Sequence, residues 1–317
     1  MHKLQTTIGP ITLENPVLCA SGCFGHGYEA SHLTDVSKIG AVSLKSVTPE
    51  ARLGNPTPRI HEVPGGIMSS IGLQNPGFEG YMESIYPRAC EVLRPDQRFI
   101  SIAGGSADDY IGLARKLGER IAPGEIAALE VNCACPNVSL GGGSFSRFPD
   151  KLVAMVKEVI KAVPFPVVAK ISTVYDNFLD AARAAEDSGA VAIYTNTTPL
   201  AMAIDIERGM PFLGNQRGPI CGPSIRPLGV LRTWEVYKVV KVPLIPSGGI
   251  ASWQDALEYM MAGASAVSIG TANFVNPNTA VEVAEGLAAY VEAQGLGHIS
   301  EVVGLAQRNW DAKVAKR

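Results

Sequence analysis

The sequence predicts an α/β fold, an eightfold β/α barrel of the TIM type. Eight short apolar runs rich in Val, Ile or Ala recur along the 317 residues, and amphipathic stretches separate several of them. Near-continuous apolar runs of this length are typical of parallel strands that are buried on both faces. Eight such strands alternating with helices favour a closed parallel barrel, and an open doubly wound sheet is the structural alternative.

The elements are expected in alternating order after a small N-terminal hairpin over residues 6–16, which would close the bottom of the barrel. The eight apolar runs are residues 16–20, 41–45, 99–104, 128–132, 166–171, 191–196, 242–247 and 265–270. Amphipathic helices are predicted over residues 108–121, 148–163, 176–190 and 253–264. Several of these helices end in Gly, as helix C-termini commonly do.

Residues 1–317 are expected to form a single domain, because no internal linker interrupts the pattern and α/β barrels routinely reach this length. The stretches 46–98 and 197–232 are too long for plain connections. We therefore expect both stretches to form loop excursions at the active face of the barrel.

The composition indicates a folded protein with a large core, since 46% of the residues are hydrophobic and 18% are charged. A net charge of −3 gives no electrostatic reason to expect nucleic acid or an anionic membrane as a partner. The N-terminal residues have neither the apolar run nor the cleavage site of a signal peptide, and no stretch approaches the roughly 18 apolar residues of a transmembrane helix. A cytoplasmic location is therefore expected.

The cysteines are scattered and lack the paired or clustered spacing of zinc and iron–sulfur sites, so no metal is expected. They are Cys19, Cys23, Cys90, Cys133, Cys135 and Cys221. Reduced thiols in a cytoplasmic protein are the simplest interpretation. Cys133 and Cys135 would point to opposite sides of an extended segment, which argues against a mutual disulfide or a shared metal.

Chemistry in such a barrel is located at the C-terminal ends of the strands. Those ends predict a polar, glycine-rich ring made of Ala20, Ser21, Gly22, Lys45, Ser46, Ser101, Asn132, Cys135, Lys170, Asn196, Thr197, Ser247, Gly248, Gly249, Gly270 and Thr271. Residues 245–252 carry paired glycines before a helix, and residues 269–274 follow the eighth strand. Backbone N–H groups at such positions can bind a phosphate, and ordinary tight turns are the alternative.

Lys170 and Cys135 are the candidates for chemistry in this ring. Lys170 fits a Schiff-base lysine, a salt-bridge partner, or a counter-ion for an electron-rich cofactor such as a reduced flavin. A Cys135 thiolate could take a proton from a carbon next to a carbonyl while a flavin accepts the hydride. Most free cysteines are instead small buried hydrophobes, and that interpretation is favoured for Cys133.

A series of motifs runs through nearly the whole chain. They are NPVLCASG (15–22), LKSVTPEARLGNPTPR (44–59), SSIGLQNPG (69–77), VNCACPN (131–137), AKIS (169–172), TNTT (195–198), CGPSIRP (221–227), SGGI (247–250) and ALEYMMAGASAVSIGTANF (256–274). In this order they resemble the class 1 dihydroorotate dehydrogenase family, and most of all its B-type, NAD-linked catalytic subunit.

The resemblance implies an FMN-dependent enzyme of pyrimidine biosynthesis that interconverts dihydroorotate and orotate, with Cys135 as the proton-transfer base. It implies substrate contacts from Lys45, Ser69, Gly72, Leu73, Asn132, Asn137, Asn196 and Thr197. It implies FMN contacts from Ala20, Ser21, Gly22, Lys45, Ser46, Ser101, Asn132, Lys170, Ile171, Gly222, Gly248, Gly249, Gly270 and Thr271. A homodimer and a separate FAD and iron–sulfur subunit that passes electrons to NAD are the partners it implies.

Several positions depart from the family pattern. Ser69 and Ser101 stand where asparagine is usual, Ala134 stands where serine is usual, and Pro219 and Cys221 lie at the centre of an altered loop. FMN binding is nevertheless expected to be intact, whereas part of the predicted substrate shell differs, so the preferred substrate can differ as well. The alternatives are a dihydropyrimidine dehydrogenase-like or other cyclic-amide oxidoreductase, a flavin-free lyase using Lys170 as a Schiff base, and a non-catalytic flavin-binding subunit.

Overall fold

The computed structural model describes residues 2–135 and 144–316, so Asn137, one of the predicted substrate contacts, lies outside the described residues. In chain order the strands are β1 (Thr6–Ile8), β2 (Ile11–Leu13), β3 (Val17–Cys19), β4 (Ala41–Ser43), β5 (Ile60–Val63), β6 (Gly66–Ser69), β7 (Arg98–Ile102), β8 (Ala128–Asn132), β9 (Val167–Ser172), β10 (Ala192–Asn196), β11 (Leu200–Ala201), β12 (Ile204–Asp205), β13 (Met210–Pro211), β14 (Gly218–Cys221), β15 (Leu244–Ser247) and β16 (Val267–Ile269).

Eight of these strands close into a parallel barrel. Going around it, the order is β3, β4, β7, β8, β9, β10, β15 and β16, and β16 pairs back onto β3. Each of the eight predicted apolar runs overlaps one barrel strand, so the predicted fold class is confirmed and the open-sheet alternative is wrong.

The helices pack around the outside of the barrel. They are α1 (Gly77–Gly80), α2 (Tyr86–Val92), α3 (Ala107–Arg120), α4 (Pro149–Ala162), α5 (Phe178–Asp187), α6 (Arg226–Tyr237), α7 (Trp253–Ala262), α8 (Ala272–Val275), α9 (Thr279–Ala293) and α10 (Leu305–Val314). The four predicted helices correspond to α3, α4, α5 and α7 and are confirmed. Serine side chains fix the starts of two of them, since Ser106 accepts from the Asp109 N–H and Ser252 accepts from the Asp255 N–H.

The N-terminal hairpin closes the bottom of the barrel, as predicted. β1 and β2 pair antiparallel, and Ile8, Ile11 and Leu13 are buried. These three side chains pack against residues at the N-terminal ends of the barrel strands, including Leu18 and Phe99. Because the hairpin fills this end, the polar ring has to lie at the other end.

The two long stretches between strands form one common sheet instead of separate loops. β5 and β6 come from the first stretch, β11 and β14 from the second, and the sheet order is β11, β14, β6, β5. Met68 of β6 pairs with Ile220 of β14, and Ile67 pairs with Cys221. The two predicted excursions are thus joined in one four-stranded sheet, which we call the wall. Its strands follow β4 and β10 in the chain.

The alternation of side chains along the barrel strands decides which residues reach the interior. In β8, Leu129 and Val131 pack in the outer core against the helices, while Ala128 belongs to the cluster inside the barrel. Glu130 and Asn132 share the alternation of Ala128, so both face the interior. This places a carboxylate and an amide in the upper half of the barrel.

Candidate active site

The predicted ring of strand-end residues comes together at one end of the barrel, where three serines form a chain of hydroxyl groups. Ser46 Oγ lies 3.3 Å from Ser21 Oγ and 2.8 Å from Ser101 Oγ. Ser21 Oγ also donates to the Leu44 carbonyl at 2.8 Å and accepts from the Ser46 N–H at 3.1 Å. The ends of β3, β4 and β7 are therefore joined by a continuous polar floor.

Glu130 in β8 is a central member of this floor that the sequence analysis missed. Its side chain is fully buried. Oε1 accepts from Ser101 Oγ at 2.8 Å, and Oε2 accepts from Ser43 Oγ at 2.9 Å. The signal in the sequence was a carboxylate inside the apolar run 128–132, because a charge in a buried strand needs partners. Glu130 lies in the middle of β8 and is therefore absent from a set of strand-end residues.

Lys170 in β9 supplies the cation that this carboxylate needs. Its Nζ lies 3.4 Å from Glu130 Oε1, and the lysine side chain is only 8% exposed. Nζ also lies 4.3 Å from the centroid of the Tyr194 ring. Burial opposes the charged form, but the Glu130 carboxylate outweighs it and holds the pKa of Lys170 above its usual range. A Schiff-base lysine has to be a neutral amine, so this pairing argues against the lyase alternative.

Asn132 at the end of β8 positions the Cys135 thiol. Asn132 Nδ2 lies 3.3 Å from Cys135 Sγ and 3.4 Å from Ser46 Oγ. Its Oδ1 accepts from the Ala134 N–H at 3.2 Å, and its carbonyl accepts from the Tyr110 hydroxyl at 2.7 Å. Since the Ala134 contact uses the backbone, alanine at this position still keeps Asn132 oriented.

The two neighbouring cysteines have different environments. Cys133 is fully buried in the outer core, as predicted for a small hydrophobe. Burial raises the pKa of the Cys135 thiol, while the charges of Lys170 and Lys45 and the Asn132 hydrogen bond oppose that rise. Cys135 is therefore a protonated thiol at neutral pH, placed where two cations help it to ionise.

Lys45 follows β4 and is half-buried at the mouth of the barrel. A β-carbon at Gly22 would lie 3.4 Å from Lys45 Nζ, and Gly22 has a φ of +86° that favours glycine. Burial lowers the pKa of Lys45, and the nearby Cys135 and Cys23 thiols oppose this. Within residues 2–135 and 144–316 no carboxylate forms a salt bridge with Lys45. A carboxylate on a bound substrate would give it one.

Asn196 and Thr197 lie at the end of β10. Asn196 Nδ2 donates to Thr198 Oγ1 at 2.8 Å, and its Oδ1 accepts from Ser247 Oγ at 3.2 Å. Thr197 Oγ1 lies 2.7 Å from Thr173 Oγ1. These bonds fix both side chains and leave the Asn196 amide with one hydrogen and one lone pair for a ligand.

Ser69, Gly72 and Leu73 lie on the wall, at the end of β6 and just after it. Asn55 Nδ2 donates to Ser70 Oγ at 2.8 Å, and a β-carbon on Gly72 would lie 2.6 Å from Asn55. Leu73 has a φ of +55°, which is uncommon for a residue other than glycine. In the described part of the chain the Ser69 hydroxyl has no hydrogen bond to the Asn132–Cys135 network, so this segment belongs to the wall and not to the floor.

Paired glycines form a tight turn between β15 and α7. Gly248 and Gly249 have φ values of +141° and +74°, which favour glycine. A β-carbon on Gly249 would lie 2.7 Å from the backbone nitrogen of Arg226, and one on Gly222 would lie 2.6 Å from the Gly65 carbonyl oxygen. The turn thus requires glycine for both conformation and space, and it leads into a helix N-terminus, which favours an anion.

The first turn of α7 is already partly occupied by its own cap. Asp255 Oδ2 accepts from the Ala251 N–H at 3.0 Å and from the Ser252 N–H at 2.9 Å, and Asp255 forms an ion pair with Arg226. Because these N–H groups have partners, a phosphate at this end has to be held mainly by the preceding glycine turn.

The remaining predicted cofactor residues lie at or just after the ends of β3, β9 and β16. The Ala20 N–H donates to the end of β16 at 2.8 Å. The Ile171 side chain packs in the outer core, so its backbone alone can face the mouth. A β-carbon on Gly270 would lie 3.6 Å from Cys23 Sγ, and Thr271 immediately precedes α8.

Residues 2–135 and 144–316 form neither a metal-binding cluster nor a membrane-spanning helix. That part of the chain contains no group of three or more His, Cys, Asp or Glu side chains arranged to hold a metal ion. Its cysteines are all free thiols. None of its helices combines the length and the apolar character needed to cross a bilayer.

Known proteins similar to this chain cover almost its full length. A sequence model of the family described as dihydroorotate dehydrogenase matches residues 3–291. A protein of Desulforudis audaxviator named dihydroorotate dehydrogenase B (NAD(+)), catalytic subunit, is 45% identical over 306 residues, which cover 96% of this chain and 98% of that protein. Proteins of the same name from Desulforamulus reducens and Bacillus cytotoxicus are 42% and 39% identical; each match covers 98% of the relative, and they cover 96% and 98% of this chain, respectively.

Proposed function

Because the chain belongs to the dihydroorotate dehydrogenase family, we propose that it interconverts dihydroorotate and orotate with FMN as its cofactor. It is then an oxidoreductase that acts on CH–CH groups in pyrimidine biosynthesis. The observation that carries the proposal is the position of Cys135 Sγ, 3.3 Å from Asn132 Nδ2, within the electrostatic reach of Lys45 and Lys170. A proton-transfer group and two cations thus meet at the mouth of a barrel.

The residues at the mouth fit FMN. The Lys170 ammonium has three N–H donors, and Glu130 is the one hydrogen-bond acceptor that the described residues give it. Its other donors suit the N1 and C2-carbonyl edge of a flavin. Between β15 and α7, the Gly248–Gly249 turn suits the phosphate, since the N–H groups of Ala251 and Ser252 that follow it are already bonded to Asp255. FMN, when bound, supplies the acceptor for the hydride that leaves the substrate.

Cys135 acts on the substrate as base and acid. Its thiolate removes a proton from one ring carbon of dihydroorotate, and in the reverse direction its thiol returns that proton. Asn132 and Asn196 orient the substrate ring through their amide groups, which supports reaction by alignment. Asn137, outside the described residues, is proposed to do the same.

Lys45 favours dihydroorotate over an uncharged dihydropyrimidine. A half-buried ammonium without a carboxylate partner among the described residues is costly, and a substrate carboxylate would offset that cost. Dihydrouracil has no carboxylate and leaves Lys45 unpaired. The departures at Ser69 and Ala134 do not remove this cation, and the Ala134 backbone still orients Asn132.

The electrons must then leave the protein. The relatives are named catalytic subunits, which implies a second, electron-transferring subunit for them. For this chain we propose a partner that carries FAD and an iron–sulfur cluster and reduces NAD, together with a homodimeric catalytic core. We further propose that residues 1–317 act as one FMN-binding domain.

The proposed function is tested by anaerobic mixing of the yellow, FMN-loaded protein with substrates. Dihydroorotate is expected to bleach the flavin absorbance near about 450 nm, because the substrate hydride reduces bound FMN. Dihydrouracil, which lacks the carboxylate that pairs with Lys45, is expected to bleach it at least tenfold more slowly. Stopped-flow absorbance measures both rates.

The same experiment separates the alternatives. Bleaching by dihydrouracil and not by dihydroorotate would show that the altered wall has changed the substrate. A colourless protein that borohydride traps with a carbonyl compound would favour the Lys170 lyase. Unchanged turnover in Cys135→Ala would favour a non-catalytic flavin-binding subunit.

Tyr259 supports the glycine turn and leads to a prediction for FMN binding. Its hydroxyl donates to the Gly248 carbonyl at 2.6 Å, and a β-carbon on Gly229 of α6 would overlap that hydroxyl. Gly229→Ala is therefore expected to displace Tyr259, open the turn and weaken FMN binding at least tenfold. Tyr259→Phe removes the hydrogen bond to the Gly248 carbonyl, worth about 1 kcal/mol, together with a longer contact of 3.5 Å to the Arg226 carbonyl, and is expected to weaken binding roughly fivefold. Fluorescence titration with FMN measures both constants.

Gly112→Ala is the matched control, since it also adds a methyl group to a helical glycine. Nothing lies within 4 Å of a β-carbon at Gly112. FMN affinity should be unchanged in this variant. Equal affinities for Gly229→Ala and Gly112→Ala would show that Tyr259 does not support the phosphate site.

A further inference from the structure

Glu130 and Lys170 form a buried ion pair inside the barrel. The side chains are 0% and 8% exposed, and both face the barrel interior directly below the mouth. Glu130 accepts from Ser43, Ser101 and Lys170, which come from β4, β7 and β9. A carboxylate with this many donors is rigidly held, so the position of the lysine that pairs with it is fixed as well.

The geometry leaves part of the lysine charge available. The Lys170–Glu130 distance of 3.4 Å is long for a charge-assisted hydrogen bond, which is usually about 2.7–2.9 Å. The ammonium also lies on the face of the Tyr194 ring, which cannot accept a full hydrogen bond. A pair whose only task was structural would gain from closer contact. The longer separation leaves the ammonium donors that do not face Glu130 available to a ligand.

We propose that Glu130 is a positioning residue for the redox chemistry: it would set the reduction potential of bound FMN by fixing the position of Lys170 and limiting the positive charge that acts on the flavin. The proposal rests on the proposed function, because it requires FMN at this mouth. Reduction places added electron density on the N1 edge of a flavin, so a cation there favours reduction and an anion behind that cation opposes it. The pair as a whole is neutral.

Two single variants and their combination separate these opposing contributions. Glu130→Gln removes the negative charge, so bound FMN should become easier to reduce. Lys170→Met removes the positive charge, so bound FMN should become harder to reduce. Each shift is expected to be at least tenfold in the equilibrium constant, which is about 30 mV for a two-electron couple. The Glu130→Gln/Lys170→Met protein is again neutral and should return to within about threefold, or roughly 15 mV, of the original value.

Spectroelectrochemical titration of the FMN-loaded proteins at two pH values measures these potentials without any substrate. Lys45, Cys23, Cys135 and Tyr194 are the other titratable groups around Lys170. If Lys170 loses its proton in Glu130→Gln, the potential will show one additional proton per two electrons in its pH dependence. Either the upward shift or this added proton supports the assignment.

Ser43→Ala provides a second test of the proposal if the Glu130→Gln protein does not fold. It removes one donor to Oε2 and no charge, so the carboxylate opposes reduction more strongly and the potential should shift to more negative values, by about twofold in the equilibrium constant. Ser188→Ala is the matched control. It removes another buried serine hydroxyl, which donates to the Ala185 carbonyl at the end of α5 and has no hydrogen bond to Glu130, Lys170 or Tyr194 among the described residues, so it should leave the potential unchanged.

A merely structural pair would lower stability in these variants without moving the potential in opposite directions. Potentials of Glu130→Gln, Lys170→Met and Ser43→Ala that all match the original protein, with FMN bound and bleached by dihydroorotate, would overturn this inference alone. Failure of the original protein to bind FMN would overturn the proposed function, and this inference with it.

Discussion

Replacing Cys135 with serine is expected to lower the rate of dihydroorotate oxidation about 10²–10⁴-fold at neutral pH while FMN stays bound. Serine keeps the position beside Asn132 but is a much weaker acid than a thiol, so far less of the base form is present. The rate of flavin bleaching in a single turnover measures the effect, and the flavin spectrum confirms that the cofactor is retained.

The pH dependence adds a second signature. Burial raises the pKa of the Cys135 thiol, and the thiolate is the form that accepts the proton. The oxidation rate should therefore rise with pH through and above neutrality, and orotate reduction, which needs the thiol, should change in the opposite direction. Cys90→Ser, at a half-buried cysteine on α2, is the control and should change neither rate. A Cys135→Ser rate within threefold of the original would exclude Cys135 as the base.

Replacing Lys170 with methionine is expected to lower the free energy of unfolding of the FMN-free protein by about 3–5 kcal/mol. Methionine fills a similar volume but leaves the fully buried Glu130 carboxylate without its cation. Ser43 and Ser101 still donate to that carboxylate, yet two neutral hydrogen bonds do not replace a charge. Urea unfolding of the protein without cofactor measures the loss.

Combining Lys170→Met with Glu130→Gln tests the cause. The double variant no longer carries a buried charge, so most of the lost stability should return, as is common when a whole buried pair is made neutral. A double variant less stable than Lys170→Met would show that the loss came from packing and not from the uncompensated carboxylate.

The barrel was predictable from sequence because its signal is local. Each strand is a short apolar run, and the run 128–132 coincides with β8 at both ends. The bottom hairpin was predictable for the same reason. The strand-end residues could be collected into one ring because a parallel barrel places all C-terminal ends on one side.

The buried network was not predictable because its partners are distant in the chain. Glu130 bonds to Ser43, 87 residues away, and to Lys170, 40 residues away. Only the closed barrel and its register bring these strands together. The alternation within β8 would have placed Glu130 inside, had each apolar run been read residue by residue and not by its end alone.

The joining of β6 and β14 has a consequence for how this enzyme can diversify. The wall above the mouth depends on contacts between distant parts of the chain, whereas the barrel strands pair with one another independently of it. Substitutions in the wall, such as those at Ser69 and Cys221, would change the border of the proposed ligand site without changing the pairing that holds the barrel. Substrate preference and fold stability can therefore evolve separately, with the wall free to vary and the floor of Glu130, Lys170 and Asn132 kept constant.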